Sequence, residues 1–486
     1  MKRFTIIIFV ILSELIMPQN FEFEQSLYNN YESFKEENLT EKRFKHSDIV
    51  PLITRLKNNK DFTVNKVGSS FEGRDIFLIS VGHGDKKIFL WSQMHGDEPT
   101  ATAALFDIFN FLSDSSYIEI KNYILSKVKI YFLPMVNPDG AEKFQRRNIF
   151  NIDINRDANR LQTPEAVILK EVFDSLKAEF GFNLHDQDPR YSVGNSFKSA
   201  AISFLAPAFN YEKDVDPVRE KSILLIGRLS RMLSKFIPGH IAKYSDEYEP
   251  RAFGDSFQKW GTSTILVESG GWKNDPEKQF LRKMNFLLLI SAFKEIAENG
   301  YKNESPAVYE KIPFNDKYIF DLLLRNLTLT YQDTKIKIDV AINFEEVSEG
   351  PSRSVKKISS IQDLGDLSVF YGFQDVDLTG YEIGHGKTYN EKKFSLKEVA
   401  NLNIYEFYNR GFITIVTEDS LEGRFTDFPL NIYSNNSVKN MNFLKIGSPA
   451  NFIITKDDVV KYVIVNGFLQ NVNEKKEFKG NGIIYK

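Results

Sequence analysis

Residues 87–99 read KIFLWSQMHGDEP, an apolar run followed at once by a histidine, a glycine, two acids and a proline. A short run of aliphatic and aromatic residues without polar alternation marks a strand buried on both faces, as the inner strands of a parallel sheet are. In open α/β sheets the carboxyl ends of such strands face the crevice where ligands collect. Pro99 stands where a helix begins, and residues 99–111 have helical apolar spacing. Residues 128–136 (VKIYFLPMV), 180–184 (FGFNL) and 263–268 (STILVE) repeat the strand pattern. Residues 163–177, 217–236 and 275–297 repeat the helical one, with Pro164 and Pro217 at first-turn positions. The alternation from 45 to about 298 predicts an α/β fold: a mixed, largely parallel open sheet flanked by helices.

The whole chain has 486 residues, 62 Lys and Arg against 65 Asp and Glu, and 42% hydrophobic residues. That is globular composition, and it excludes collagenous, disordered and disulfide-scaffold classes. A net charge of −3 without a basic run predicts no nucleic-acid partner. Zero cysteines mean that any metal must be held by His, Asp and Glu. At the N-terminus, Lys2 and Arg3 precede an apolar run that Pro18 breaks, so residues 1–20 read as a signal peptide and the protein is expected to be exported, periplasmic or secreted. No later stretch holds 18 uninterrupted apolar residues, so no stable membrane span is expected in the mature chain. Residues 301–317, with Pro306 and Pro313, read as a linker between a catalytic domain (21–300) and a β-rich accessory domain (318–486) whose strands include 335–342 and 459–465.

His95 and Glu98 are three apart at a turn entering a helix, a spacing that lets both reach one metal. Alone this says little, because a His with an acid three places on is expected about once by chance in a chain with six histidines and 65 acids. The bland readings are a hydrogen-bonded loop histidine and a carboxylate stabilised by a helix N-terminus. The weight comes from two further strands: one ends in His185, the other at Glu268 followed by Ser269-Gly270-Gly271. Two imidazoles and one carboxylate hold zinc with a fourth position open, and Glu268, outside that set, is the candidate base.

These residues reach a known pattern. His-x-x-Glu, a distant His and a further Glu resemble the zinc metallocarboxypeptidases of the carboxypeptidase A-like, bacterial type. Supporting motifs follow in the family's order: Glu72-Gly73-Arg74, then Asn137-Pro138-Asp139-Gly140, then RRNIFNIDINRD over 146–157. The resemblance implies one zinc per chain on His95, Glu98 and His185, with Glu268 as general base for the zinc-activated water. It implies that Asn155 and Arg156 grip the free C-terminal carboxylate of a peptide substrate, and that Arg146 stabilises the oxyanion of the scissile carbonyl. Physical chemistry agrees: an arginine fork matches a carboxylate, and a fixed positive charge serves best where an oxyanion develops. Arg147 is the rival for the Arg146 role. His46, His83, His240 and His385 have no partnered spacing and read as ordinary histidines.

There are departures from the pattern. The 86 residues between Glu98 and His185 are fewer than in digestive members, which implies trimmed loops. The family's Asn-Arg-Asn is Asn155-Arg156-Asp157 here, and the substrate-capping tyrosine has no secure counterpart, Tyr248 being near but unassigned. Asp255 or Arg251 is expected to line the specificity pocket, leaving the preferred side chain open. In the last part, residues 321–326 (DLLLRN) with 339–342 (DVAI), and 446–454 (IGSPANFII) with 462–467 (YVIVNG), resemble the small β-sandwich of amidohydrolases without the barrel's His-x-His ligands. A sandwich-like domain without metal is the expectation. Besides the metallocarboxypeptidase, two readings of the site stand: a zinc amidoacylase of the aspartoacylase or desuccinylase type, and a non-catalytic carboxylate-binding module.

Overall fold

A computed structural model describes residues 21–348, 355–434, 444–474, 478 and 480–486; the expected signal peptide over 1–20 lies outside the described residues. The strands of the first part are β1 (Phe62–Ser69), β2 (Asp75–Val81), β3 (Lys86–Ser92), β4 (Val128–Leu133), β5 (Phe180–Asp186), β6 (Ser192–Val193), β7 (Ile202–Leu205), β8 (Ile241–Lys243) and β9 (Ser263–Ser269), followed by β10 (Asn315–Asp316). Eight of them form one sheet in the order β1-β2-β4-β3-β5-β9-β7-β8. Its centre is parallel: β4, β3, β5 and β9 run the same way. Antiparallel pairings join β1 to β2, β2 to β4 and β7 to β9.

The apolar run of β3 is continuous because each face of the strand meets its own core. Ile88 and Leu90 pack into a cluster with helix Thr100–Ser113 and helix Gln279–Glu298. Phe89 and Trp91, pointing the other way, pack with helix Pro164–Leu176 and helix Phe253–Lys259. Pro164 and Pro217 begin their helices, each behind a capping side chain: Thr163 accepts from Ala166 N and Asp216 from Arg219 N. Pro99 stands one residue before its helix, at the N-cap.

Residues 21–45, which no periodic pattern announces, are tied into this domain by a buried ion pair. Arg282 and Asp107 are both fully buried and bonded to each other. Arg282 also donates to the backbone oxygens of Glu36 and Leu39, while Asp107 accepts from Tyr31 Oη (2.8 Å) and Glu36 N (2.8 Å). Residues 301–317, expected as a linker, are folded against the same domain. Pro306 starts a short helix, Pro306–Glu310, Tyr301, Tyr309 and Ile312 enter the first core, and β10 pairs with β6. A proline at a first helical turn and a proline in a loop look alike in one dimension.

The remainder is built from two sheets. The larger one has Thr334–Ser348 between Val355–Gly365 and Ile319–Tyr331, and continues through Glu382–His385 to Phe452–Lys456, Val459–Val465 and Phe468–Asn471. A five-stranded sheet contains Phe412–Thr417, Asn431–Tyr433 and Gly482–Tyr485. Alternate residues of the shared strands part as in a sandwich: Phe452, Ile454 and Ile464 enter one core, Ile453, Val463 and Val465 the other. Asn466 and Gly467 turn at positive φ between Val465 and Phe468, the two-residue hairpin that Asn-Gly favours. Arg190 joins the two parts through Asp321 (3.4 Å) and Glu345 (3.0 Å), and Lys42 and Arg43 through Glu346 (2.8 and 3.0 Å). No helix among the described residues is long and apolar enough to cross a membrane.

Replacing Arg282 by Met would take from the buried Asp107 the cation bonded to it. The unfolding free energy should fall by about 3 to 5 kcal/mol. A urea melt checks this: the midpoint should drop at constant slope.

Candidate active site

Beyond β3 the chain turns through Gln93 at a positive φ of 52° and reaches His95 two residues later. Gln93 Nε2 donates to Gly96 O (3.0 Å), closing the turn. Gly96 is a glycine because the backbone of Gly140 and Ala141 lies against it, where a Cβ would come within 2.0 Å of Gly140 C. Asn137 holds the turn from behind, its Nδ2 donating to Met94 O (3.2 Å) and Arg146 O (3.3 Å) while its Oδ1 caps Gly140 N (2.9 Å). Asp139 in turn accepts from Ser70 Oγ (2.6 Å), Glu72 N (3.0 Å) and Arg74 (2.7 Å). The Glu-Gly-Arg and Asn-Pro-Asp-Gly motifs are thus scaffolding beneath the histidine.

The parallel register then sets Glu268 of β9 directly beside His185 of β5. His95, Glu98 and His185 are buried, and one ligating atom of each lies within 4.8 Å of the others. Glu98 bridges the pair, with Oε1 2.7 Å from His95 Nδ1 and Oε2 2.7 Å from His185 Nδ1. The two Nδ1 atoms are 3.2 Å apart. Two imidazole nitrogens and a carboxylate converging on one point are the donor set of an open zinc site. The other nitrogen of His95 meets Asp153 Oδ1 at 3.2 Å, the outer carboxylate that orients a ligating imidazole. The residues present therefore fit the ion.

Electrostatics separates the two glutamates. Burial pushes both carboxyls up, but for Glu98 the facing histidines outweigh it and hold the group well below its usual range. Glu268 has no such partner; burial and the Glu98 charge hold it well above. Burial pushes His95 down, and the Glu98 and Asp153 carboxylates overcome it, so that it is held at about 9.

These groups open into a cavity of about 400 Å³ that Arg146, Asn155 and Arg156 also line. Arg146 reaches Glu98 Oε1 (3.3 Å) and Asp153 Oδ2 (3.0 Å), whereas Arg147 turns out to Asn151 O (3.0 Å). Arg156 donates to Asn155 O (2.7 Å) and sits 3.4 Å from Glu249. Asn155 Oδ1 accepts from Phe253 N (2.9 Å), and its amide nitrogen lies 3.5 Å from His185 Nε2. Of the two residues considered for the specificity pocket, Asp255 lines this cavity; Arg251 does not, although it pairs with Glu249, which does. Tyr248 packs against Tyr211 and does not line the cavity; the tyrosines that do are Tyr191 and Tyr244, and burial and Glu268 push the Tyr244 phenol up. Asp153 and Tyr244 were not singled out in the sequence. Asp153 lies inside the 146–157 motif, and nothing local to Tyr244 signals its place. His46 and His240 bond to the backbone oxygens of Asp75 and Ser199, as ordinary histidines do.

Residues 52–200 match the family model described as zinc carboxypeptidase. That stretch is similar to the zinc carboxypeptidase family. It contains His95, Glu98, Arg146, Asn155, Arg156 and His185 and ends before Glu268. Carboxypeptidase 2 of Trichophyton rubrum is 29% identical over 114 residues, 23% of this chain and 20% of that protein. Carboxypeptidase M of Mus musculus is 26% identical over 146 residues, 25% of this chain and 33% of its own. The chain thus spans about a fifth to a third of the length of these relatives. A metallo-carboxypeptidase structure from Burkholderia cenocepacia aligns with a TM-score of 0.44 at 13% identity, covering 53% of this chain and 70% of that one.

Asp255 gives the zinc carboxypeptidase-like domain a pH signature. Burial pushes its carboxyl up to about 7, although Glu249 N donates to it (3.0 Å). The unfolded chain ionises near 4 and the folded one near 7, so stability contributed at low pH is lost across that window as pH rises. Asp255→Asn should therefore gain on the unaltered protein by on the order of 3 kcal/mol between pH 4 and pH 8, levelling above 7. Denaturant melts at several pH values test it; a constant difference would refute the buried-carboxyl account.

Proposed function

We propose that this chain is a zinc metallocarboxypeptidase that hydrolyses the C-terminal peptide bond of peptides. The observation that carries the reading is the company in one cavity: a metal donor set, a glutamate outside that set, and arginines suited to a carboxylate and to an oxyanion. Bound to His95, Glu98 and His185, zinc would act as a Lewis acid, activating water and polarising the scissile carbonyl.

The chain's own groups do the rest. Arg156, with Asn155 beside it, takes the terminal carboxylate, the planar fork facing two oxygens. Arg146 sits over the Glu98 side of the site, where its charge stabilises the oxyanion of the carbonyl under attack. Glu268 takes the proton of the attacking water and passes it to the leaving amine. A carboxyl whose surroundings favour the protonated form is suited to give that proton up again. Asp153 keeps His95 oriented. Residues 21–300 form the catalytic domain in this reading, 318–486 an accessory domain, and residues 1–20 an export signal.

The first test is metal analysis together with mass spectrometry of a peptide pool before and after chelation. One zinc per chain and chelator-sensitive loss of C-terminal residues are expected. Hydrolysis of N-acyl amino acids with peptides untouched would instead make it an amidoacylase. Glu268→Gln should retain zinc and lower kcat by about a hundredfold or more, since it removes the base and no ligand. His185→Ala should lose zinc by the same metal analysis. Full activity of Glu268→Gln or full occupancy of His185→Ala would each overturn the role given to that residue.

A further inference from the structure

The 400 Å³ cavity is not the only one at Glu98. A larger cavity of about 1180 Å³ lies between the zinc carboxypeptidase-like domain and the β-rich part, and Glu98, Asp186, Gln187 and Asp188 line both. Arg156, Asn155, Gly254 and Asp255 line only the smaller one. If the departing residue occupies that side, the acyl side of the peptide has the interdomain cleft in front of it.

The walls of the cleft carry nine carboxylates against six cations. Four of those cations are committed: Lys42 and Arg43 to Glu346, Arg190 to Asp188, Asp321 and Glu345, and Lys278 to Asp186. On the floor, two carboxylate oxygens have no partner. Asp186 is 5% exposed, with Oδ2 bonded to Thr100 Oγ1 (2.6 Å) and Lys278 Nζ (3.1 Å), but its Oδ1 is buried and bonded to nothing. Asp97 Oδ1, beside Glu98, is likewise buried without a partner. Lys278 balances the Asp186 charge, yet the walls as a whole hold more carboxylates than cations, and a water molecule bonded to these oxygens, which are costly to bury unpaired, leaves that excess in place. A ligand ammonium supplies donors and charge together.

We propose that the interdomain cleft is the binding site for the acyl side of the substrate, and that Asp97 and Asp186 there recognise an ammonium group N-terminal to the scissile bond. Two sources have that chemistry: the α-amine of a short peptide and the side chain of a basic residue. This inference rests on the carboxypeptidase reading and adds a substrate class to it: short peptides carrying positive charge on the acyl side.

The experiment uses the zinc-loaded full chain and a peptide series with the leaving residue held constant. One arm compares N-acetylated peptides with Lys, norleucine or Glu before the leaving residue; the other compares free and acetylated α-amines. A preference of about tenfold or more in kcat/KM for the cationic member is expected in one arm, which identifies the source. Asp97→Asn should collapse that ratio toward one. Because the preference is electrostatic, it should also shrink in high salt in the unaltered protein, so the test stands even if the variant does not fold. Ratios within twofold in both arms, with peptides still trimmed, overturn this inference and leave the carboxypeptidase reading intact. No trimming of any member at full zinc occupancy overturns the carboxypeptidase reading, and this one with it.

Discussion

Four parallel strands in fixed register are the constraint on which the site depends. Because β3, β5 and β9 run side by side in one direction, their carboxyl ends lie at one edge of the sheet, and residues distant in the chain arrive there together. His185 and Glu268 are direct cross-strand partners, and His95 comes from the turn that ends the neighbouring strand. The sheet is held between its two cores by the alternation of Ile88 and Leu90 with Phe89 and Trp91. A slip of one residue in β3 would exchange those faces and carry His95 away from its partners.

Precision at that edge comes from a layer of polar groups that never touch the cavity. Asn137 binds the backbone of Met94, Gly140 and Arg146, and Asp139 gathers Ser70, Glu72 and Arg74 behind it. Each is fully buried, so each bond is made without competition from water. The result is a turn tight enough that Gly96 meets backbone on its far side, with the histidine and glutamate aimed at one point. Asp153 continues the same logic into the site, joining His95 to Arg146.

The β-rich part bears on this site by where it stands. Its strand Thr334–Ser348 supplies Glu345 and Glu346, which bind Arg190, Lys42 and Arg43 of the first domain. Three cations are thereby neutralised along the wall of a cleft whose floor is acidic. The segment 21–45, locked by Arg282 and Asp107, presents Lys42 and Arg43 to that wall. The second domain thus has an electrostatic consequence for the first, by removing positive charge from the entrance.

Much of this was legible in one dimension. Apolar runs, first-turn prolines and the His-x-x-Glu turn determined by themselves the strand-helix alternation, the α/β class and the residues that could meet a metal, because strand and helix periodicity are local properties of the chain. Tertiary structure alone decided which arginine enters the cavity, Arg146 rather than Arg147, since adjacent residues on an irregular loop point apart by backbone geometry no pattern records. It alone decided that Tyr244 and not Tyr248 lines the cavity, that 301–317 folds against the core of the first part, and that two carboxylate oxygens are left unpaired beside the cleft. Burial and pairing depend on what arrives from elsewhere in the chain, and a sequence lists neighbours along the backbone, not across the sheet.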